Sequence, residues 1–235
     1  MRRRFFVDEV RLGQAEIEGE EAKHLTRVLR VEPGQRYEIS DNLNVYLAEV
    51  ETARREHVVF RTLEKLPIEP PSVHITLCAA LIKFDHFEWM IEKATELGVG
   101  SIMPVLATRT EHGLEKAAVK RMERWRRIAV EASQQSRRAH LPEIQEMRTF
   151  EEAVRLDATH KFVLDENPGG SAFHRALPAQ RNLDDQLAVL IGPEGGWTDD
   201  ERSEFTSWTR VSMGPLILRA ETAALAALAV LRSAW

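Results

Sequence analysis

Residues 189–201 have the composition of a glycine-rich strand-to-helix turn, which either binds a ligand or serves only as a connection. An apolar run ends at Ile191, a loop with three glycines occupies 192–196, and a helix is predicted to open on Thr198 with Glu201 at the spacing of a capping box. Glycine has no Cβ, so the main-chain N–H and C=O groups of such a loop can approach a ligand closely. The stretch predicts a strand, an open main-chain cradle and a capped helix, in that order.

A second stretch, 213–224, repeats this pattern and adds a cation. Gly214 and Pro215 interrupt the chain, three apolar residues follow, and Arg219 precedes a helix that consists mainly of Ala and Leu. Two such loops at strand ends predict one pocket with Arg219 at its edge. The first loop lacks the lysine of the G-x-x-x-x-G-K-[ST] phosphate loop and the spacing of G-x-G-x-x-G, so nucleotide phosphates are poor candidate ligands.

A series of alternating strands and helices must position these loops. This alternation favours an α/β fold with a mostly parallel sheet and helices on both faces. Ligands of such sheets bind beyond the carboxyl ends of strands, which makes Leu164, Ile191 and Met213 candidates for the pocket. The predicted strands are 73–81, 102–106, 161–164, 187–191 and 210–213, and the predicted helices are 85–97, 115–135, 150–156, 199–207 and 220–232.

The first 68 residues have a different pattern and predict a separate, β-rich domain. An amphipathic helix is predicted over 20–30, and the proline-rich segment 66–71 is predicted to be a linker. Three close-spaced strands after the helix suggest a small barrel, at 36–40, 45–50 and 58–63. One face of the helix is predicted to carry a basic stripe, or else an ordinary solvated surface, made of Lys23, Arg27 and Arg30.

Composition indicates a globular protein of 235 residues with a net charge of −5. No apolar run approaches the roughly 20 residues needed to span a bilayer, and the N-terminus lacks the apolar region of a signal peptide, so we expect a cytoplasmic protein without a membrane partner. The single cysteine, Cys78, is predicted to be a core residue, and no dedicated metal site is expected. The acidic balance argues mildly against nucleic acid, but basic clusters make the charge polarised.

Four motifs together carry a resemblance to a known family. Residues 191–196 (IGPEGG) and 218–223 (LRAETA) resemble the paired signature of the RsmE-type ribosomal RNA uridine-N3 methyltransferases, in the SPOUT superfamily. Lys83 to Gly98 and Glu131 to Pro142 are similar to two further motifs of that family. The resemblance implies a trefoil-knotted SPOUT domain over 69–235, a PUA-like RNA-binding barrel over 1–68, and S-adenosylmethionine as cofactor.

The resemblance also implies an activity and partners. We expect methylation of uridine N3 in small-subunit (16S) ribosomal RNA, a step of ribosome biogenesis, on naked RNA or on the assembled subunit. A homodimer is expected to form through 220–232 and Phe87 to Leu97, although dense packing within one subunit also accounts for the alanines of 220–232. The alternatives are a SPOUT methyltransferase acting on another RNA position, such as a ribose 2′-oxygen, or a non-catalytic RNA-binding assembly factor.

Roles for individual residues follow from the resemblance. Arg219 is expected to stabilise the uridinate oxygen or to steer an RNA phosphate, the alternative being a structural ion pair with Glu194 or Glu221. The proton acceptor is one of Glu194, Glu221, Asp165 or a water molecule. The expected cofactor contacts are Leu164, Leu190, Ile191, Gly192, Pro193, Gly195, Met213, Gly214, Leu216, Leu218, Thr222 and Ala223. The expected RNA contacts are Arg2, Arg3, Arg4, Arg27, Arg30, Lys83, Arg109, Arg137 and Arg138.

Four residues depart from the family pattern. Leu216 stands where an arginine is usual, Ala220 where a threonine is usual, and Phe84 where a glycine is usual. Gln134 replaces the common glutamate before Gln135. Loss of the arginine at 216 is the departure expected to bear on substrate affinity or choice.

Overall fold

The computed structural model describes residues 3–68, 73–167 and 170–235. Within them the chain forms two compact units. One combines the described residues of the first 70 positions with Ser133–Leu141, and the other combines the described residues of 71–132 with Pro142–Trp235. The chain therefore returns to the N-terminal unit at Ser133–Leu141, which no sequence pattern indicated. Part of the predicted linker, 69–71, lies outside the described residues, as do Arg2 and residues 168 and 169.

The N-terminal unit is a curled five-stranded sheet closed by one helix. The strand order is β1-β3-β4-β5-β2, with β1 parallel to β3 and the other neighbours antiparallel. Register shifts at Leu47/Ala48 and Val50/Thr52 bend β4, as β-bulges do. The elements are β1 (Arg4–Phe6), β2 (Gln14–Glu18), α1 (Gly19–Arg27), β3 (Arg36–Ser40), β4 (Val45–Arg54) and β5 (His57–Leu66).

The basic stripe predicted on α1 is wrong at one position. Arg30 lies beyond the helix, with φ of +53°, because the helix closes with a bond from the Val31 amide to the Leu25 carbonyl. A left-handed residue of this kind is a common end to a helix. Lys23 forms an ion pair with Glu20 at 2.5 Å, so the three predicted cations do not form one free stripe.

The second unit is built on a parallel sheet, as predicted. Its strand order is β11-β13-β10-β12-β6-β7-β8, β9 also pairs with β7, and every pairing among the described residues is parallel. The strands are β6 (His74–Ala80), β7 (Ser101–Leu106), β8 (Glu143–Ile144), β9 (Arg148–Thr149), β10 (His160–Leu164), β11 (Ser171–Ala172), β12 (Gln186–Ile191) and β13 (Thr209–Ser212). The helices are α2 (Phe84–Glu96), α3 (Leu114–Val119), α4 (Met122–Gln135), α5 (Phe150–Val154), α6 (Phe173–Ala176), α7 (Asp199–Ser203) and α8 (Ala220–Ala234).

Alternation along the central strands divides the core between the two faces of the sheet. On one face Leu77 and Val189 pack with α2, α4 and α8. On the other face Cys78 and Leu190 pack with α5 and with the aromatic side chain of Trp197. Since successive strand residues point to opposite faces, both faces are apolar and both are covered by helices. Cys78 is a buried core residue, and its burial raises the pKa of the thiol to about 12.

Two predicted helices are shorter than expected. The helix predicted over 115–135 is wrong as a single element, because the chain turns between α3 and α4 with a bond from the Arg121 amide to the Ala118 carbonyl. That turn accompanies the burial of Trp125 against Phe87, with ring centroids 4.7 Å apart. The helix predicted over 199–207 ends at Ser203 and continues as a 3-10 turn.

Candidate active site

Three neighbouring strand ends form a pocket at the carboxyl edge of the parallel sheet. β10 lies between β12 and β13, so the residues that follow these three strands meet. The pocket has a volume of about 390 Å³, within the range of small-molecule sites. It is lined by Leu164–Glu166, Ile191–Trp197, Val211–Ala220 and Ala223.

The glycine loop is fixed in place by Trp197. This side chain is fully buried, and its indole N–H donates to the carbonyl of Leu164 at 3.0 Å, which ties the loop to the end of β10. A Cβ on Gly192 would lie 3.0 Å from the indole ring, and a Cβ on Gly196 would lie 2.3 Å from Glu166 Oε1. Gly196 also has φ of +67°, a conformation that glycine adopts without strain. Packing against the buried indole therefore requires glycine at 192, and the backbone conformation favours glycine at 196.

The helix after the glycine loop begins as predicted. The Thr198 side chain accepts from the Glu201 amide, and the Glu201 carboxylate accepts from the Thr198 amide at 2.7 Å, so the capping box is complete. On the same helix, Arg202 reaches back to the end of β10. Its guanidinium lies 3.2 Å from an Asp165 carboxylate oxygen and 3.1 Å from Glu166 Oε1. Burial of the Arg202 guanidinium lowers its pKa, but the neighbouring carboxylates raise it by more. The pKa of Arg202 is therefore raised.

Arg219 and Glu194 lie at the edge of the pocket without partners. Both side chains are exposed, and neither forms a hydrogen bond or ion pair with any of the described residues. Arg219 is the residue that immediately precedes α8. In the described part of the chain, no ion pair joins Arg219 to Glu194 or to Glu221, which were the structural partners considered for it.

The other two candidate proton acceptors are already engaged. The Asp165 carboxylate is buried and is held by Arg202. Glu221 is buried in the first turn of α8, where its carboxylate lies 3.0 Å from His86 Nδ1, and it is not among the pocket residues. Both partners come from distant parts of the chain, so neither pairing could be read from the motifs.

All the predicted cofactor contacts line the pocket except Leu190 and Thr222. Leu190 precedes Ile191 on β12, so its side chain points to the opposite face of the sheet, into the core around Trp197. Thr222 is exposed on the first turn of α8, while Ala223 faces the pocket. The lining residues that were not predicted lie within two positions of predicted ones in the chain, and that proximity was the available signal: Glu166, Gly196, Trp197, Val211, Ser212, Pro215, Ile217 and Ala220.

Comparison with known proteins identifies the family. A family model described as an RNA methyltransferase domain matches residues 69–232, and one described as an RNA methyltransferase PUA domain matches 17–63. The ribosomal RNA small subunit methyltransferase E of Bacillus subtilis is 31% identical over 92% of this chain and 88% of its own length. The chain belongs to this methyltransferase family.

Solved structures agree with the family assignment. A methyltransferase of Legionella pneumophila in complex with bound S-adenosylmethionine has a TM-score of 0.90 at 29% identity, covering 100% of this chain and 98% of its own. The methyltransferase E of Neisseria gonorrhoeae, also bound to S-adenosylmethionine, has a TM-score of 0.88 at 27% identity, with the same coverage. The predicted α/β fold with an N-terminal PUA-like domain is confirmed.

The basic residues predicted to contact RNA fall into two groups in this family member. In the first, Arg4 donates to Glu38 at 2.8 Å and Arg137 contacts the other oxygen of the same carboxylate at 2.5 Å. Arg138 donates to the His140 carbonyl. In the second group the side chains are exposed and have no hydrogen bond or ion pair to described side chains: Arg3, Arg27, Arg30 and Lys83.

Arg109 differs from these because it lies on the glycine loop. It follows β7 in the chain, and its Nη1 donates to the Gly195 carbonyl at 2.6 Å. A Cβ on Gly195 would lie 3.2 Å from Arg109 Cβ, so the aliphatic part of the arginine side chain is in close contact with the loop. Arg109 is thus the predicted RNA contact that the structure places beside the pocket.

Among the described residues, no helix has the length and apolar character to cross a bilayer. Potential ligand atoms of Glu16, Glu18 and His57 lie within 4.8 Å of one another in the N-terminal unit, on exposed or half-exposed side chains. No such group was found at the pocket within the described residues, and the expectation of no metal stays a prediction.

Proposed function

We propose that this chain methylates uridine N3 in small-subunit ribosomal RNA with S-adenosylmethionine as the methyl donor. The observation that carries the proposal is the pocket between three strand ends, with glycine main chain and apolar side chains on its walls and, at its edge, an arginine whose side chain has no partner among the described residues. Family membership and the bound S-adenosylmethionine of two structural relatives support it.

The pocket residues fit a cofactor that has both an apolar ring and polar groups. Leu164, Ile191, Leu218 and Ala223 offer apolar contacts, while the glycine loop offers main-chain donors and acceptors. When bound, S-adenosylmethionine supplies an electrophilic methyl group. The loops contribute by holding that group at a fixed place, which removes much of the entropic barrier to reaction with a bound nucleotide.

Arg219 and Glu194 are proposed to act on the uridine. The N3 proton must be removed, and the negative charge that develops is shared with the adjacent carbonyl oxygens. The Arg219 guanidinium has no protein partner among the described residues and is free to stabilise that charge. Since Asp165 and Glu221 are engaged, Glu194 is the pocket carboxylate proposed to accept the proton, directly or through water.

The partners are proposed on similar grounds. The PUA match and the exposed arginines of the N-terminal unit support contact with ribosomal RNA or with the small subunit, in the cytoplasm. A homodimer is proposed through α2 and α8, which pack on each other within one subunit and leave Trp89 45% exposed on α2. Light scattering tests this proposal, and a monomeric mass at micromolar concentration would contradict it.

The trefoil knot is also a proposal. The strand order supports it, because β12 lies between β6 and β10 while β13 lies on the far side of β10. The segment that ends in α8 would thread through the loop that precedes it. An experimental structure in which this segment passes outside the loop would contradict the knot.

One experiment tests the activity as a whole. The chain is titrated calorimetrically with S-adenosylmethionine and then incubated with small ribosomal subunits lacking the modification, and the product nucleoside is identified by mass mapping. We expect saturable cofactor binding and a methyl group on uridine N3. A methyl group on a ribose 2′-oxygen would reassign the substrate position, and cofactor binding without any methylated product would favour a non-catalytic RNA-binding factor.

A further inference from the structure

Glu201 makes more contacts than its capping role requires. Besides the Thr198 amide at 2.7 Å and the Thr198 hydroxyl at 3.1 Å, its carboxylate accepts from the Thr108 amide at 2.8 Å. Glu201 is only 4% exposed. Hydrogen bonds to a carboxylate are among the stronger ones in proteins. A buried N–H group that loses its acceptor destabilises the folded state. One buried carboxylate thus joins α7 to the turn that follows β7.

The turn that Glu201 holds is the one that carries Arg109. Ala107 and Thr110 close this turn through a main-chain bond and a bond from the Ala107 amide to the Thr110 hydroxyl, each of 3.1 Å. Arg109 extends from the turn to the Gly195 carbonyl. Glu201 is therefore connected to the pocket edge through the hydrogen-bonded turn 107–110 and the side chain of Arg109.

The guanidinium of Arg109 retains donors after it binds Gly195. Arginine has five N–H groups, and only the bond to the Gly195 carbonyl involves a described protein atom. The side chain is exposed and lies against the loop that also carries Glu194. A planar cation with unused donors beside an RNA-modifying pocket has the chemistry to bind a backbone phosphate.

We infer that Glu201 is a positioning residue that holds Arg109 at the pocket edge, where Arg109 binds a phosphate next to the target nucleotide. The inference rests on the proposed function and adds a specific RNA contact to it. Glu201 itself touches neither RNA nor cofactor. Its effect is transmitted by the Thr108 amide.

A double-mutant cycle between Glu201→Ala and Arg109→Ala tests the inference, with RNA binding measured across a salt series. Alanine at 201 removes the oxygen that accepts from the Thr108 amide, so the turn is released. We expect each single variant to weaken RNA binding about tenfold and to reduce the slope of log affinity against log salt by about 0.7 to 0.9, the value of one phosphate contact. The double variant should be no weaker than Arg109→Ala.

The second capping box of the chain supplies the control. Thr149 and Glu152 form the same reciprocal bonds at the start of α5, but Glu152 is half-exposed and, among the described residues, its carboxylate accepts from no main-chain N–H other than that of Thr149. Glu152→Ala should lower thermal stability without changing the salt slope. If Glu201→Ala is too unstable to assay, Arg109→Ala alone decides, and an unchanged slope in that folded variant overturns the inference.

Failure of the inference can be told apart from failure of the proposed function. Additive effects of the two substitutions, with normal RNA and S-adenosylmethionine binding by the unmodified chain, overturn the role of Glu201 and leave the methyltransferase proposal standing. Absence of binding by the unmodified chain overturns both.

Discussion

At the scale of single residues, Arg219 is placed where its charge is not stabilised by the protein. It precedes α8, whose first main-chain N–H groups carry partial positive charge, and it has no acidic partner among the described residues. Folding alone would favour an acidic or neutral side chain at this position. A locally unfavourable cation beside a pocket is typical of a residue retained for function.

Replacement of Arg219 by Ala should therefore reduce turnover and leave folding intact. We expect kcat to fall by about 10²-fold to 10³-fold, the usual loss when a donor to a developing anion is removed, with cofactor affinity unchanged and Tm unchanged or slightly higher. Single-turnover assays and calorimetry measure these quantities. Arg219→Lys is the matched control, since it keeps the charge but not the planar donor geometry. Full turnover by the alanine variant would rule out the catalytic role.

The three candidate proton acceptors differ in whether another side chain already engages them. The pH dependence of the rate tests which of them accepts the proton. Glu194→Gln should lower kcat by about 10²-fold to 10⁴-fold, the range for removal of a general base, and should abolish the fall in rate on the acid side of the pH profile. Glu221→Gln is the control, because its carboxylate faces His86 and not the pocket. If both variants keep the profile of the unmodified chain, a water molecule accepts the proton.

How much of the site the sequence predicted depends on the distance between partners along the chain. Gly192, Glu194 and Arg219 were predicted because each belongs to a local motif. The engagement of Asp165 by Arg202 and of Glu221 by His86 was not, since each pairing joins segments that only the fold brings together. Local motifs identify candidates, and tertiary contacts decide which of them are free.

At the scale of elements, strands were predictable where burial on both faces gives a continuous apolar run. β6 and β12 are of this kind. β1 has three residues and β2 alternates Ala15 and Ile17 with polar side chains, so neither gave a comparable signal. The break between α3 and α4 was missed because the helical periodicity of the apolar residues continues through it.

The glycine loop allows a prediction about the pocket as an element. Gly196→Ala should destabilise the chain by about 1 to 3 kcal/mol, because φ is +67° there. It should also weaken cofactor binding, because relief of the strain at this φ would move main chain that lines the pocket. Gly113→Ala is the control: its φ is +91°, but a Cβ there meets no atom within 4 Å. Thermal unfolding should show a loss in both variants, and calorimetry a loss of affinity in Gly196→Ala only.

At the scale of the whole molecule, the predicted division into two domains did not include the segment that returns to the N-terminal unit. Ser133–Leu141 joins the N-terminal unit, where Arg137 shares Glu38 with Arg4 and the Ser40 hydroxyl donates to the Ala139 carbonyl at 2.7 Å. Two of the predicted RNA contacts are thus partners of one buried carboxylate. Charge counted along a sequence cannot distinguish a free arginine from one that closes a fold.

Stability of the molecule should depend on Asp185 in a way that changes with pH. This buried carboxylate accepts from the Asn182 amide at 2.8 Å and from the Trp235 indole at 3.0 Å, and these bonds, in that order, lower its pKa. An aspartate with a lowered pKa stabilises the folded state above its unfolded value, which is about 3.9. That stabilisation is lost as the pH falls from there through the lower folded value.

Asp185→Asn should accordingly lower the urea midpoint at pH 7, and the difference from the unmodified chain should stay constant down to about pH 5 and shrink below about pH 4. The neighbouring Asp184 is exposed and has no partner among the described residues, so Asp184→Asn should shift stability by less than about 0.5 kcal/mol at any of these pH values. A difference for Asp185→Asn that grows on acidification would mean that the carboxylate is held protonated in the fold, and the hydrogen bonds from Asn182 and Trp235 could not then be what stabilises it.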